Sequence, residues 1–77
     1  MKTGDNATIN FSAFGITSQE NYKIIELTDT VITVDDMIDI YDKDTDRNYT
    51  VGRQFCRKTG KCLNDNNSMG AKRTLQL

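Results

Sequence analysis

The 77-residue sequence predicts a small, mainly antiparallel β domain, a barrel or bent sheet of about five strands. Three observations carry this. Apolar and polar residues alternate at period two in several runs, β-branched residues concentrate in those runs, and Gly, Asn, Asp and Ser cluster between them. The length supports a single core, which for a chain this short removes only about 60% of the unfolded surface from water. Residues 1–63 form the expected domain, and residues 64–77 a flexible basic C-terminal tail.

In order, Thr8–Phe14 alternates with Ile9, Phe11 and Ala13 on one face, and Gly15 ends it. Residues 18–27 are ambiguous. Thr17-Ser18-Gln19-Glu20 matches a helix capping box, with Tyr22, Ile24, Ile25 and Leu27 as a helical stripe, but Ile25 and Leu27 also alternate as a strand would. The strand is preferred, with an α+β fold carrying one helix near 18–27 as the alternative. Thr30–Val34 is a β-branched run, and Met37–Tyr41 alternates with Ile38 and Ile40 on one face. Asn48–Cys56 places Tyr49, Val51 and Phe55 on one side, with residues 43–47 as the turn before it. From Asn64 to Gly70 the composition is that of a turn, and only Leu75 and Leu77 could dock the end as a last strand.

Cys56-Arg57-Lys58-Thr59-Gly60-Lys61-Cys62 suits a hairpin with the three-residue loop Lys58–Gly60, setting Arg57 opposite Lys61, Cys56 opposite Cys62 and Phe55 opposite Leu63. The cysteines then read as a cross-strand disulfide or as two free thiols acting as small hydrophobes. A structural zinc site lacks ligands, with two Cys and no His. No cofactor and no metal are expected. Asp42, Asp44 and Asp46 match the start of an EF-hand loop, but Arg47 stands at its glycine position and Arg53 at its glutamate.

Charge is divided along the chain. Residues 1–46 carry ten acids and three cations, residues 47–77 seven cations and one acid, so net charges of −7 and +6 are hidden in a total of −1. The acids concentrate at Asp35, Asp36, Asp39, Asp42, Asp44 and Asp46, a strip that could dock on a basic protein and imitate a phosphate backbone. The cations Arg53, Arg57, Lys58, Lys61, Lys72 and Arg73, with the aromatics Tyr49 and Phe55, form the alternative, a direct nucleic-acid surface. Self-association through the opposed charges is a third expectation. No His, no nucleophile with a dedicated base and no glycine-rich phosphate loop is present, so a non-enzymatic role is expected.

In size and strand number the chain resembles small barrels of the SH3, Tudor and KOW kind, which implies a binding module and no more. The beginning of the chain has no apolar stretch, and a cytoplasmic protein without a membrane partner is expected. Asn-x-Ser/Thr triplets begin at Asn6, Asn10, Asn48 and Asn66; they fit the Thr, Ser and Asn content of strands and turns better than glycosylation.

Overall fold

The computed structural model describes residues 1–64 and 70–77. Five strands follow in sequence: β1 (Asn6–Ala13), β2 (Ile16–Leu27), β3 (Val31–Asp42), β4 (Arg47–Cys56) and β5 (Lys72–Leu75). They build one antiparallel sheet in the order β4-β3-β2-β1-β5, curled into a half-barrel. The mainly β expectation holds. Among the described residues no helix forms, and none is long and apolar enough to cross a membrane.

The helical alternative at 18–27 is corrected: these residues lie in β2, and Ser18 to Lys23 pair with Phe11 to Asn6 of β1. Glu20 accepts a hydrogen bond from the Tyr22 hydroxyl, so it serves a strand neighbour two residues away and caps no helix. Pairing also assigns the faces, because residues directly opposite share one. Ala7, Ile9, Phe11 and Ala13 of β1 face inward with Tyr22, Glu20, Ser18 and Ile16 of β2 and with Leu75 and Arg73 of β5. A bulge after Ile24 adds one residue to β2, so Ile24 and Leu27 both turn inward against Val34 and Ile32. Ile25, expected on the face of Leu27, is left outside.

The core is Ala7, Ile9, Ile24, Ile32, Val34, Phe55 and Leu75, with Tyr22, Leu27 and Cys62 packed against it. Leu75, 5% exposed, explains why Lys72–Leu75 is a strand where a tail was expected. Its side chain fills the core beside Ile9, and its pairing with β1 anchors the segment. Leu77 stays 68% exposed. Of the expected turn at 64–70, residues 65–69 lie outside the described residues.

At one end the two outer strands are bridged. Phe55 pairs with Cys62, Lys61 pairs with Thr74, and the Leu75 N–H donates to the Gly60 carbonyl at 2.8 Å. Hydrogen bonding therefore continues from β4 to β5 at that end. At the other end β2 and β3 pair only over Ile24–Leu27 and Ile32–Val34. Beyond that seam β2 continues with β1 and β3 with β4, so two hairpins project from the common core.

The β1–β2 hairpin closes through Phe14 and Gly15, both at positive φ (52° and 76°), between the paired Ala13 and Ile16. That is the two-residue turn whose twist matches a hairpin, and it favours Asn at the position Phe14 holds. Phe14 is 84% exposed, so it recovers little by packing. Replacing it with Asn removes the left-handed penalty of a bulky side chain. The Phe14→Asn variant is expected to be more stable by about 0.5–1 kcal/mol, read as a rise in the urea midpoint at unchanged slope.

Candidate protein-binding surface on the β3–β4 hairpin

β3 takes in both apolar runs read from the sequence, Thr30–Val34 (all but Thr30) and Met37–Tyr41, as one strand with an irregularity between them. Thr33 pairs with Gln54 and Met37 with Gly52, so Val34, Asp35 and Asp36 together face Arg53 alone. Two extra residues restore the parity that one would flip, and even-numbered residues of β3 stay inward on both sides of the bulge. Gly52 makes room for it: a Cβ there would stand 2.6 Å from the Val34 carbonyl oxygen and 2.8 Å from Thr33 Cγ2.

This register divides the acidic strip. Asp36 and Asp42 face inward with Ile38 and Ile40, whereas Asp35 and Asp39 face outward with Met37 and Tyr41. Asp44 and Asp46 sit in the turn. Asp36 accepts from Arg53 Nε at 2.8 Å, the salt bridge formed among the described residues. Asp39 accepts from the Thr50 hydroxyl at 2.8 Å, Asp42 from the Asp44 N–H at 2.9 Å, and Asp46, at φ 54°, from the Tyr41 hydroxyl. Four of the six carboxylates thus have local partners, Asp36 in the ion pair, Asp39 on Thr50 across the ladder, and Asp42 and Asp46 in the turn. Asp35, Asp39 and Asp44 are exposed. From Asp35 to Arg53 the hairpin carries six acids and three cations, a net −3.

The cationic set is dispersed. Arg53 is 7% exposed and paired, and Phe55 is fully buried at 0%, so neither offers a guanidinium or a ring to a nucleic acid. Arg57 donates its N–H to the Thr30 carbonyl and Nη1 to the Thr28 carbonyl, both at 2.9 Å, tying the 57–60 loop to the β2–β3 turn. Arg73 lies over the Phe11 ring, 4.4 Å from its centroid. Lys58, Lys61 and Lys72 are exposed, and Tyr49 is half-exposed on the β3–β4 hairpin, away from them. Lys61 and Lys72 share one face, because Lys61 pairs with Thr74, two residues along β5 from Lys72.

The cysteine hairpin is shifted by one residue from the expected register. Gly60 N–H donates to the Cys56 carbonyl at 2.7 Å, and Cys56 N–H to the Lys61 carbonyl at 2.8 Å, which makes a four-residue loop, Arg57–Gly60. Cys62 then faces Phe55 and the core, while Cys56 lies on the opposite face, and both are free thiols. Arg57 is likewise not opposite Lys61, so the expected like-charge pair does not form. Hydrogen bonds from Thr59 and backbone N–H groups of the loop, with Lys58 nearby, hold the Cys56 thiol below its usual value.

Glu20 and Tyr22, read from the sequence only as part of a capping box and a helical stripe and not as site residues, join Asp36, Arg53 and Arg73 on the inner face. The Glu20 hydrogen bond pushes Tyr22 up to about 12, with burial and the Asp36 charge adding to it and Arg73 opposing it. Only the alternation of β2, once strand is chosen over helix, could have placed them.

No family model, no curated protein and no solved structure matches the chain. Its function is to be read from its own surface.

Removing one partner of a fully buried ion pair costs roughly 3–5 kcal/mol. Because Asp36 retains some exposure, Asp36→Ala is expected to cost about 2–3 kcal/mol by urea denaturation. Asp44→Asn should change stability by less than about 0.5 kcal/mol. For Tyr22, a folded value raised above the unfolded one means that the neutral phenol contributes stability fully below about pH 10, and that this is lost as pH rises toward about 12. Stability measured from pH 8 upward should fall through that window in the parent chain. The fall should be smaller in Tyr22→Phe, which has no phenol to ionise there.

Proposed function

We propose that the chain is a non-enzymatic protein-binding module, of the kind that can act as an inhibitor, whose β3–β4 hairpin engages a basic surface. The observation that carries the reading is the hairpin beyond the seam. It leaves β2 behind, is held rigid by its own ladder and the Asp36–Arg53 bridge, and presents Asp35, Asp39 and Asp44 exposed. Fixed carboxylates on a projecting ladder steer and orient a cationic partner at little conformational cost. A nucleic-acid-handling protein, whose working surface is basic, is the natural partner class. Two free thiols on opposite faces favour a reducing, cytoplasmic setting.

Direct nucleic-acid binding remains the competing reading, and Lys61 beside Lys72 is what favours it. With Arg53, Arg57 and Phe55 engaged in the fold, few cations remain for phosphates, and binding through so few would be weak. The two readings separate in one experiment. The parent chain, Asp35→Asn/Asp39→Asn/Asp44→Asn and Lys61→Gln/Lys72→Gln are titrated against labelled poly-lysine and labelled single- and double-stranded oligonucleotides. The expected result is poly-lysine binding that falls at least tenfold in the triple Asn variant, is untouched in the double Gln variant and weakens with salt, with no oligonucleotide binding. Oligonucleotide binding lost in the double Gln variant, or poly-lysine binding indifferent to the acids, would overturn the proposal.

A further inference from the structure

Among the described residues, the outer edge of β4 is guarded over only part of its length. Backbone groups of even-numbered residues point to that edge: Cys56 N–H donates to the Lys61 carbonyl, Gln54 N–H to Asn64 Oδ1 at 2.9 Å, and the Gln54 carbonyl accepts from the Leu63 N–H at 2.8 Å. Asn64 Nδ2 then donates to the Gly52 carbonyl at 3.1 Å, and among the described residues the cover ends there. By the same alternation the N–H and C=O of Thr50 and Asn48, and the N–H of Gly52, face outward. Among the described residues no hydrogen bond reaches them.

Sheets usually blunt such an edge with a proline, a lysine or a bulge on the edge strand. Here the chain has no proline, the bulge lies on β3, and the charged residues of 47–53 are Arg53, committed to Asp36, and Arg47, opposite Asp42. What covers a row of backbone donors and acceptors at strand spacing is another strand.

We propose that the occupant is a second copy of this chain, joined β4 to β4 in antiparallel two-fold pairing centred on Thr50. The sequence around that centre is self-complementary. Thr50 meets Thr50, Asn48 meets Gly52, and Tyr49 meets Val51 of the second copy, an aromatic against a β-branched residue on the inner face. Half-exposed Tyr49 then gains a neighbour it lacks in one copy. Thr50 and Thr50 exchange two backbone hydrogen bonds, and each Asn48–Gly52 pair exchanges two more, with the Gly52 carbonyl accepting a second donor on its free lone pair. Asn64 stops the ladder at Gly52, so the joint is short and the dimer of moderate affinity. Arg53 is committed to Asp36, and Arg47 lies opposite Asp42, so neither cation meets the second copy without its own counter-charge.

This inference rests on backbone groups of β4 and not on the exposed carboxylates, of which only Asp39, opposite Thr50 and accepting from its hydroxyl, borders the joint. It also differs from pairing of opposed charges in the sign of its salt response. Joining two hairpins of net −3 brings like charges together, so screening strengthens the dimer, whereas attraction between opposed charges would weaken.

The test is sedimentation equilibrium of the parent chain from low micromolar to millimolar, at about 0.1 and about 1 M salt, where the screening length falls from about 10 to about 3 Å. The expected mass rises with concentration from 8.7 kDa to twice that value, more steeply at high salt. Thr50→Pro removes a donor that points away from β3 and leaves the β3–β4 ladder intact, so it should be folded and monomeric. Thr50→Lys keeps the N–H but sets two ammonium groups opposite each other, and it decides the question if the proline variant fails to fold. A monomer throughout, a dimer weakened by salt, or a dimer that survives both folded variants would each overturn the proposal.

Discussion

The rest of the structure depends on the seating of the β3 bulge against β4. Three residues, Val34, Asp35 and Asp36, must be accommodated opposite one, and the chain manages it with a glycine and an arginine side by side. Gly52 lets the Val34 carbonyl come within a distance that any Cβ would forbid. Arg53 donates to Asp36 on the other face, where an isolated carboxylate would be costly to hold. The bulge separates a half of β3 that packs in the core from a half that projects with β4. Val34 and Asp36 keep their inward parity across it, so the sheet bends without exchanging its faces. The proposed partner surface and the open edge both lie on the part that projects.

The sheet was legible wherever alternation was regular. β1, the turn at 43–46 and the inward set of β4 follow from period-two reading, because one side chain in two must leave water. The ambiguity at 18–27 has a specific cause. A bulge turns Ile24 and Leu27 to the same side, and that spacing of three is also the spacing of a helical face. Local pattern cannot separate the two, since what decides is pairing with residues 6–13. The cysteine hairpin shows the limit of register. Loops of three and of four residues both end on a left-handed glycine, and Phe55 meets an apolar residue either way, Leu63 in one register and Cys62 in the other. The acidic strip was visible as composition, but strand parity sends its members to two faces and a turn. Burial, which composition does not report, removed Phe55 and Arg53 from the basic set.

Among the described residues, the opposed charges of the two halves of the sequence meet in an ion pair on the inner face. The Asp36–Arg53 pair, near Tyr22, Glu20 and Arg73, forms a polar patch beside a core of seven buried apolar side chains. In the bulged alignment Arg53 stands opposite the three-residue insertion that carries Asp36, so the ion pair secures that part of the ladder. Of the remaining charges, exposed acids gather on the projecting hairpin, with Lys43 and Arg47 among them, and exposed lysines lie around the 57–61 loop and β5.

The order β4-β3-β2-β1-β5 has a kinetic side. Three of its four ladders join strands adjacent in sequence, through turns short enough to close in microseconds, so they can zip as successive hairpins. The fourth, β1 with β5, joins the two ends of the described chain and brings the largest loop-closure entropy of any pairing in the sheet. Leu75 supplies the apolar reward for that closure only after Ile9 and Phe55 are in place around it. The last barrier to the native state is then the arrival of four residues, Lys72 to Leu75, on a meander already largely formed, and contact order concentrated in one ladder sets the rate of the whole.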